Sequence, residues 1–362
     1  MKAAVVPSAG AGFEIVDVQI AAPEAKEVLI DVKAVGLCHS DYTLASADLG
    51  FPFPAVFGHE ISGVVREVGE NVTALRVGDP VVAALVRYCG ECERCLSGQS
   101  YYCRNVDFTL REKGQSPRLS VDGQGLTQAF GLGGFAEQAL VHENQLAKIP
   151  AGIPFENAAL LGCGVITGAG AVLNTAKVGR GETVAVIGAG GVGLNAISAA
   201  VLAGASRIVA LDISDEKLAK ASGFGATDTI NSLATDPVQA IHEIIPEGID
   251  HVFDFVGSER VAQQGLDMLS YGGALYLVGI GGADVTVTVN AMKFMRNRNR
   301  LESVYMGSAN LQVDIPFFAG LEARGLLRLD ELISETIALE DINDGYRRLK
   351  EGAVSRLVVV NP

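Results

Sequence analysis

Six cysteines, a histidine–glutamate pair and one glycine-rich turn are the residues of this chain whose types and spacing could do chemistry. Four of the cysteines fall within fifteen residues, as Cys89, Cys92, Cys95 and Cys103. Thiolates are soft ligands, and four in one short loop suit a closed tetrahedral Zn2+ site with no open position, hence a structural one. The residues between them (Gly90, Glu91, Glu93, Arg94, Leu96, Ser97, Gly98, Gln99) are mostly small or polar and do not look like a core. Free or disulfide-paired thiols and a four-cysteine iron–sulfur cluster are the other readings of this spacing. The remaining two cysteines lie far apart. Cys38 opens Cys38-His39-Ser40-Asp41, Cys163 sits in Leu161-Gly162-Cys163-Gly164, and Gly58-His59-Glu60 falls between them. Two thiolates and one imidazole make three ligands and leave a fourth Zn2+ position for water or substrate. Singly, each part has a plainer reading, Cys163 as a small buried hydrophobe and His59 as a satisfied core histidine.

The turn is Ile187-Gly188-Ala189-Gly190-Gly191-Val192-Gly193. It matches G-x-G-x-x-G, follows a Val/Ile-rich strand and opens an apolar helix. The first glycine permits the tight turn, the second a close approach to a pyrophosphate, and the third helix-on-strand packing. The helix N-terminus offers N–H groups and partial positive charge to the phosphates. Asp212 ends the next strand-like run, about 20 residues on, where a carboxylate accepts the ribose hydroxyls. A carboxylate there repels a 2′-phosphate, which favours NAD over NADP. The plainer reading is a tight strand–helix turn of any doubly wound sheet.

Two textures of chain must position these residues. The first part reads as short strands with Gly and Pro turns, among them Met1–Val6, Val28–Val35 and Val81–Val86. From about Val165, strand-like and helix-like segments alternate: Thr183–Ile187, Val192–Leu202, Arg207–Leu211, Glu216–Ser222, Asp250–Val256, Arg260–Leu269 and Ala274–Val278. Such alternation predicts βαβ units and a doubly wound parallel sheet. Helix-like Val313–Arg324 and Glu340–Lys350 and the apolar run Leu357–Val360 close the chain. Arg104–Gly134 is polar and Gly-rich, and reads as a long surface excursion. His142, His242 and His251 have no motif around them and read as structural or exposed.

Composition sets the outer bounds. The chain has 362 residues, 49% of them apolar, with 43 Gly and no Trp. That is enough apolar material for sizeable cores and excludes general disorder. With 28 basic and 42 acidic residues the net charge is −14, which argues against sequence-independent nucleic-acid binding. No apolar run of roughly 18 residues is free of glycine and polar interruptions, so no membrane span is expected. The N-terminal MKAAVVPSAG lacks a basic region followed by a long apolar run, and a cytoplasmic location is the expectation.

Taken together, the two cysteine sets and the glycine turn resemble the zinc-dependent alcohol dehydrogenases of the medium-chain dehydrogenase/reductase superfamily. That family's zinc signature, G-H-E-x2-G-x5-G-x2-V, reads here as Gly58-His59-Glu60, Gly63, Gly69 and Val72. The resemblance spans essentially the whole length in motif order. It implies a GroES-like, β-rich catalytic domain over residues 1–164, with the structural zinc lobe at 89–103, a Rossmann domain over 165–304, and a C-terminal return over 305–362. It implies that Cys38, His59 and Cys163 hold a catalytic Zn2+, that Glu60 lies beside the metal and can ligate it, and that Asp41 orients His59. Ser40 would take the alcohol proton. His39, Thr167, Val192, Val278, Lys217 and Arg356 match cofactor-binding positions, Lys217 at the adenosine ribose and Arg356 and His39 at the pyrophosphate. Leu49, Leu85, Phe108, Ile280 and Met306 match an apolar substrate pocket, which favours a medium-chain, terpenoid or aromatic primary alcohol as the small-molecule substrate.

Two departures from the family matter. The proton relay often ends in a histidine five residues after the first zinc cysteine, where this chain has Thr43. Glutathione-dependent formaldehyde dehydrogenases, which the chain also resembles around Cys38-His39 and Leu161–Thr167, carry an arginine four residues after the last lobe cysteine. Asp107 stands there and would repel a glutathione carboxylate, which ranks S-hydroxymethylglutathione oxidation second. A zinc-containing reductase of C=C or iminium bonds is a further alternative. The β-rich edges Thr286–Val289 and Leu301–Met306 are of the kind this family pairs across a dimer, and the long Arg104–Gly134 excursion resembles that of dimeric relatives where many tetrameric ones are shorter, which favours a homodimer.

Overall fold

Near-continuous apolar and β-branched residues (Val28, Leu29, Ile30, Val32, Ala34, Val35) make Glu27–Gly36 a strand buried on both faces. The computed structural model describes residues 1–112, 114–282, 284–351 and 356–362. These divide into two compact units, Met1–Cys163 with Asn310–Pro362, and Gly164–Ala309.

Glu27–Gly36 organises the first unit. Along one edge it pairs antiparallel with Glu60–Val68. The other edge is shared by two partners in succession: Gln138–His142 takes the stretch from Glu27 to Asp31, and Leu357–Val360 takes Ala34 to Gly36. Register shifts at Leu29/Ile30 and Val32/Ala34 bend the strand and raise its twist. Gly36 therefore has Glu60 across from it on one side and Val358 on the other. Ile30, Leu37, Phe57, Ile61, Phe135, Leu146, Ile337 and Leu357 fill the core, each side chain contributing roughly 1.5–3 kcal/mol by leaving water. A second sheet of short strands runs in the order Glu14–Asp17, Lys2–Val6, Ala55–Val56, Gln124–Gln128, Leu119–Val121, Gln19–Ile20.

The polar stretch from Arg104 to Gly134 is more anchored than its composition suggests. It holds the hairpin Leu119–Val121/Gln124–Gln128. Buried Arg118 donates to Glu27 Oε1 at 2.7 Å and to the Thr109 carbonyl at 2.6 Å, and Arg111 donates to Glu27 Oε2 at 2.6 Å. Two guanidiniums thus neutralise one carboxylate at the start of the central strand, so polar residues serve as internal fastenings.

The second unit is a parallel sheet in the order Asp228–Asn231, Arg207–Asp212, Thr183–Ile187, Ile249–Asp254, Leu269–Leu277, Arg300–Ser303. Numbered along the chain this is 3-2-1-4-5-6. The order reverses between Thr183–Ile187 and Ile249–Asp254, the point at which open parallel sheets bind ligands, in the crevice outside the carboxyl ends of the strands. Thr286–Val289, expected as an edge, lies outside any strand, and the edge strand is Arg300–Ser303. Backbone after Ser303 leaves the sheet for a short 3-10 turn at Met306–Ser308.

One helical stretch, Phe155–Ala176, has the length and mean hydropathy (1.5) of a membrane span, although no span was expected. Its glycines interrupt the apolar run without ending the helix. Of its most apolar window 78% is buried inside the fold, as in a core helix.

His142 is buried, and its Nδ1 accepts the Asn144 N–H at 3.1 Å. An accepting Nδ1 requires that nitrogen to be unprotonated. Burial, aided by the Arg118 and Lys26 charges, lowers the ring from its ordinary 6.5 to about 4. The folded chain therefore binds fewer protons here than the unfolded chain. This contribution to stability is complete above pH 6.5 and is lost as the pH falls toward about 4. We expect His142→Gln to flatten the acid loss of stability in that window, read by denaturant unfolding. A variant that weakens with acid as steeply as the wild type would count against this assignment.

Candidate metal centres and dinucleotide turn

The lobe cysteines come together as the spacing predicts. Their sulfurs are 3.6 Å apart for Cys89–Cys103, 3.5 Å for Cys92–Cys95, and 3.9 Å for both Cys89–Cys95 and Cys92–Cys103. A tetrahedral Zn2+ at ~2.3 Å from each sulfur sets sulfur–sulfur edges of roughly 3.8 Å. None of the four is disulfide-bonded. Backbone N–H groups of Glu91 and Cys92 donate to Cys89, and those of Cys89 and Asn105 to Cys103. Such donors stabilise thiolates, and the Cys95 backbone with its neighbours holds Cys92 down to about 6. The set fits a structural Zn2+.

The second set is assembled from distant parts of the first unit. Cys38 leaves the central strand and precedes the helix His39–Ser46. The first turn of that helix carries Asp41, fully buried, with Oδ2 2.9 Å from His59 Nδ1 and Oδ1 accepting the Gly58 N–H at 3.2 Å. The other ring nitrogen of His59, Nε2, is buried with no hydrogen-bond partner among the described residues. One ligand atom each from Cys38, His59, Glu60 and Cys163 lies within 4.8 Å of all the others. Cys163 sits in a π-helical turn, Leu161–Val165. Two sulfurs, an orphaned imidazole nitrogen and a carboxylate oxygen, all inside the protein, fit a Zn2+ site of the catalytic kind.

Glu60 is the most constrained member. It is fully buried, and its Oε1 accepts Arg356 Nη1 at 2.9 Å. Its Oε2 makes no hydrogen bond among the described residues. A Cβ on Gly36 would stand 2.1 Å from that oxygen, so only glycine leaves room for the carboxylate opposite it. Burial pushes Glu60 up to about 7, offset only in part by Arg356. Burial likewise raises Asp41. A hydrogen bond with Cys163, together with the His59 and Arg356 charges, holds Cys38 well below the usual thiol range, and the same bond and burial push Cys163 up. Burial would lower Arg356, but the Glu60, Cys38 and Cys163 charges outweigh it and raise the guanidinium.

Other expected residues fall as follows. Ser40 Oγ is 3.7 Å from Cys38 Sγ. Thr43 donates to the His39 carbonyl at 3.0 Å. Arg356, matched to a pyrophosphate position, is paired with Glu60 and also donates to the Leu37 carbonyl. Leu49 and Ile280 are exposed, Leu85 is half-buried and Met306 is buried. Phe108 packs edge-on to His142 at 5.6 Å and lines a cavity of about 190 Å3 with Glu24, Glu27, Arg111 and Arg118. Asp107 is 3.4 Å from Arg87.

In the second unit, Gly188 has φ +99°, and a Cβ on Gly193 would stand 2.0 Å from the Gly188 carbonyl oxygen. Nothing lies within 4 Å of the Cβ direction of Gly190, the glycine at the helix N-cap, which has no side-chain cap. That leaves an open cradle of N–H groups into which a phosphate fits. Asp212 Oδ2 accepts the Ala189 N–H at 2.8 Å, and Oδ1 those of Ile213 and Ser214. Its carboxylate thus ties the glycine turn to the end of the neighbouring strand. Lys217 is in the first turn of the helix capped by Ser214. Thr167 Oγ donates to Met306 Sδ at 3.7 Å. Sequence reasoning missed Gly36, the Arg356–Glu60 pair and buried Asp254. Their only local signals are a glycine at a strand end and charges flanked by apolar residues.

The geometry carries a direct test. Asp41→Asn removes the charge that fixes His59, and the expected outcome is a loss of about 10–100-fold in metal affinity at this site with the four-cysteine lobe unaffected. Metal content under a graded chelator reads both sites separately. Unchanged retention of both metals would remove Asp41 from this role.

Known proteins resemble this chain over its length. The alcohol dehydrogenase GroES-like domain matches residues 24–151, and the zinc-binding dehydrogenase domain matches residues 191–320. An S-(hydroxymethyl)glutathione dehydrogenase of Escherichia coli O6:H1 is 38% identical over 366 residues, covering 99% of each chain. The solved structure of an alcohol dehydrogenase zinc-binding domain protein from Burkholderia ambifaria superposes with a TM-score of 0.96 at 36% identity, covering 100% of this chain and 98% of that one. Benzyl alcohol dehydrogenase from Acinetobacter calcoaceticus superposes with a TM-score of 0.93 at 34% identity, covering 99% and 98%. With both donor sets and the dinucleotide turn in place, the chain belongs to the zinc-dependent alcohol dehydrogenases of the medium-chain dehydrogenase/reductase superfamily.

Proposed function

We propose that this enzyme oxidises an apolar primary alcohol, benzylic, terpenoid or medium-chain, to its aldehyde with NAD. Cys38, His59 and Cys163 hold its catalytic Zn2+, with Glu60 alongside. The observation that carries the reading is the buried donor set around the unpartnered Nε2 of His59. When bound, Zn2+ supplies Lewis acidity toward an alcohol oxygen, and NAD supplies the hydride acceptor.

The chain's own residues do the rest. Asp41 fixes the tautomer and orientation of His59. Ser40, beside Cys38, accepts the alcohol proton and hands it on. Thr43 commits its hydroxyl hydrogen to the His39 carbonyl, so the relay leaves by water or by His39. The Glu60–Arg356 pair balances charge between two buried side chains. Asp212 receives the adenosine ribose and disfavours the extra phosphate of NADP.

Benzyl alcohol dehydrogenase among the similar structures supports the aromatic end of this substrate range. The curated relatives support S-hydroxymethylglutathione as a second reading. Against it stands Asp107, a carboxylate paired to Arg87, where an anionic tripeptide needs a cation.

We also read the enzyme as a cytoplasmic homodimer. Arg300–Ser303 is exposed throughout and ends the parallel sheet, leaving a row of unpaired N–H and C=O groups. Leu301 within it, and Met292 and Met295 in the preceding helix Ala291–Asn297, are exposed.

Two measurements test these readings. Reduction of NAD and of NADP is followed across short, long, terpenoid, benzylic and secondary alcohols and hydroxymethylglutathione. The expected result is turnover of one apolar primary class with NAD preferred, falling about 10^3-fold or more in Cys163→Ala as several kcal/mol of charge stabilisation are lost. Turnover of hydroxymethylglutathione alone would select the second reading, and no turnover at all would overturn both. Sedimentation should give twice the 37.7 kDa chain mass, with Leu301→Glu shifting the protein toward monomer. A wild-type monomer at micromolar concentration would refute the dimer.

A further inference from the structure

Asp254 is a fully buried carboxyl with no cation beside it among the described residues. It ends the strand Ile249–Asp254, which borders the point where the sheet order reverses. In open parallel sheets ligands bind at the carboxyl ends of the strands at that point. Asp212 ends the strand on the other side of Thr183–Ile187. A dinucleotide laid across the crevice with its adenosine half toward Asp212 therefore has its nicotinamide half toward Asp254.

Besides its place in the sheet, Asp254 fastens turns at that end of the sheet. Oδ1 accepts the N–H groups of Val256 at 2.8 Å and Gly257 at 3.0 Å. Its backbone carbonyl accepts those of Val278 and Gly279, both at 2.9 Å. The next residue, Phe255, donates to the Ile187 carbonyl at 2.9 Å, at the root of the glycine turn. The two clamped turns then meet backbone to backbone: a Cβ on Gly281 would stand 2.2 Å from the Gly257 carbonyl oxygen. Asp254 thus joins the turn after its own strand to the turn after the next strand, and its neighbour Phe255 ties them to the root of the dinucleotide turn. The second oxygen of Asp254, Oδ2, is buried and bare. A bare buried oxygen costs stability, so packing alone does not account for a carboxyl here.

We propose that Asp254 is the positioning residue for the nicotinamide half of the cofactor site: by holding the turns at 255–257 and 278–279 together, it sets affinity for the nicotinamide end while leaving the adenosine end alone. The inference rests on the NAD reading above. Binding of NAD and of ADP-ribose, which lacks the nicotinamide, separates the two ideas when measured by calorimetry on the zinc-loaded enzyme. Asp254→Ala loses both Oδ1 hydrogen bonds, and NAD affinity is expected to fall about tenfold or more while ADP-ribose affinity stays within about twofold. Asp254→Asn keeps an acceptor oxygen for both N–H groups, and NAD affinity should be restored. Equal weakening of both ligands in Asp254→Ala, or no weakening of either, would overturn the proposal. If Asp254→Ala does not fold, hydrogen exchange on the wild type decides. NAD should protect the amides of Val256, Gly257, Val278 and Gly279 beyond the protection given by ADP-ribose, and equal protection would overturn the proposal. A wild type that binds neither ligand overturns the dinucleotide reading itself, and this inference with it.

Discussion

Glu60 brings a carboxylate into the buried interior of the first unit, and the elements around it are arranged to hold it. An isolated buried charge costs several kcal/mol, and a paired one is tolerable only with good geometry. Arg356 supplies the pair at 2.9 Å. The guanidinium reaches Glu60 only because the last strand, Leu357–Val360, returns to pair with Ala34, Val35 and Gly36 of the central strand. Gly36, across from Glu60 on the opposite edge, leaves the volume the carboxylate occupies. The ion pair thus joins the chain's end to its beginning, within the compact unit to which Asn310–Pro362 belongs.

The two metal-type sites illustrate two ways of assembling ligands. The lobe takes four thiols from one short loop and steadies them with its own backbone N–H groups. Little chain entropy is at stake in gathering groups so close in sequence. Cys38, His59, Glu60 and Cys163 are gathered from a strand exit, two positions at a strand start and a π-helical turn. Only the packed core of the unit holds them within 4.8 Å. The lobe is exposed and self-contained, suited to stiffening. The other set is buried, with one ring nitrogen left without a partner, suited to chemistry.

The elements of the second unit were the most legible part of the sequence. Thr183–Ile187 forms the strand predicted, and the helix after the glycine turn, Gly191–Ala203, extends the predicted one by a residue at each end. Fully buried parallel strands are continuous apolar runs, and glycine turns mark their ends, so period and punctuation suffice. Where the sequence misled, a nonlocal partner was responsible. Phe155–Ala176 was masked by its glycines. The excursion from Arg104 to Gly134 reads as a surface segment because it is polar and Gly-rich, whereas its Arg111 and Arg118 neutralise Glu27. Thr286–Val289 has the composition of a strand but no neighbour to pair with among the described residues.

Ligand identity was a property of the sequence alone. Cysteine spacing, the Gly58-His59-Glu60 triplet and the glycine turn each state a local chemical requirement, and such requirements are written in adjacent residues. Tertiary structure decided which charges meet. Arg356 faces Glu60 across 296 positions of chain, and Asp254 reaches the turns after its own strand and the next through one carboxyl oxygen and one carbonyl. Electrostatics and hydrogen bonding act through space at a few ångströms, and only the folded strand order determines which groups share those ångströms.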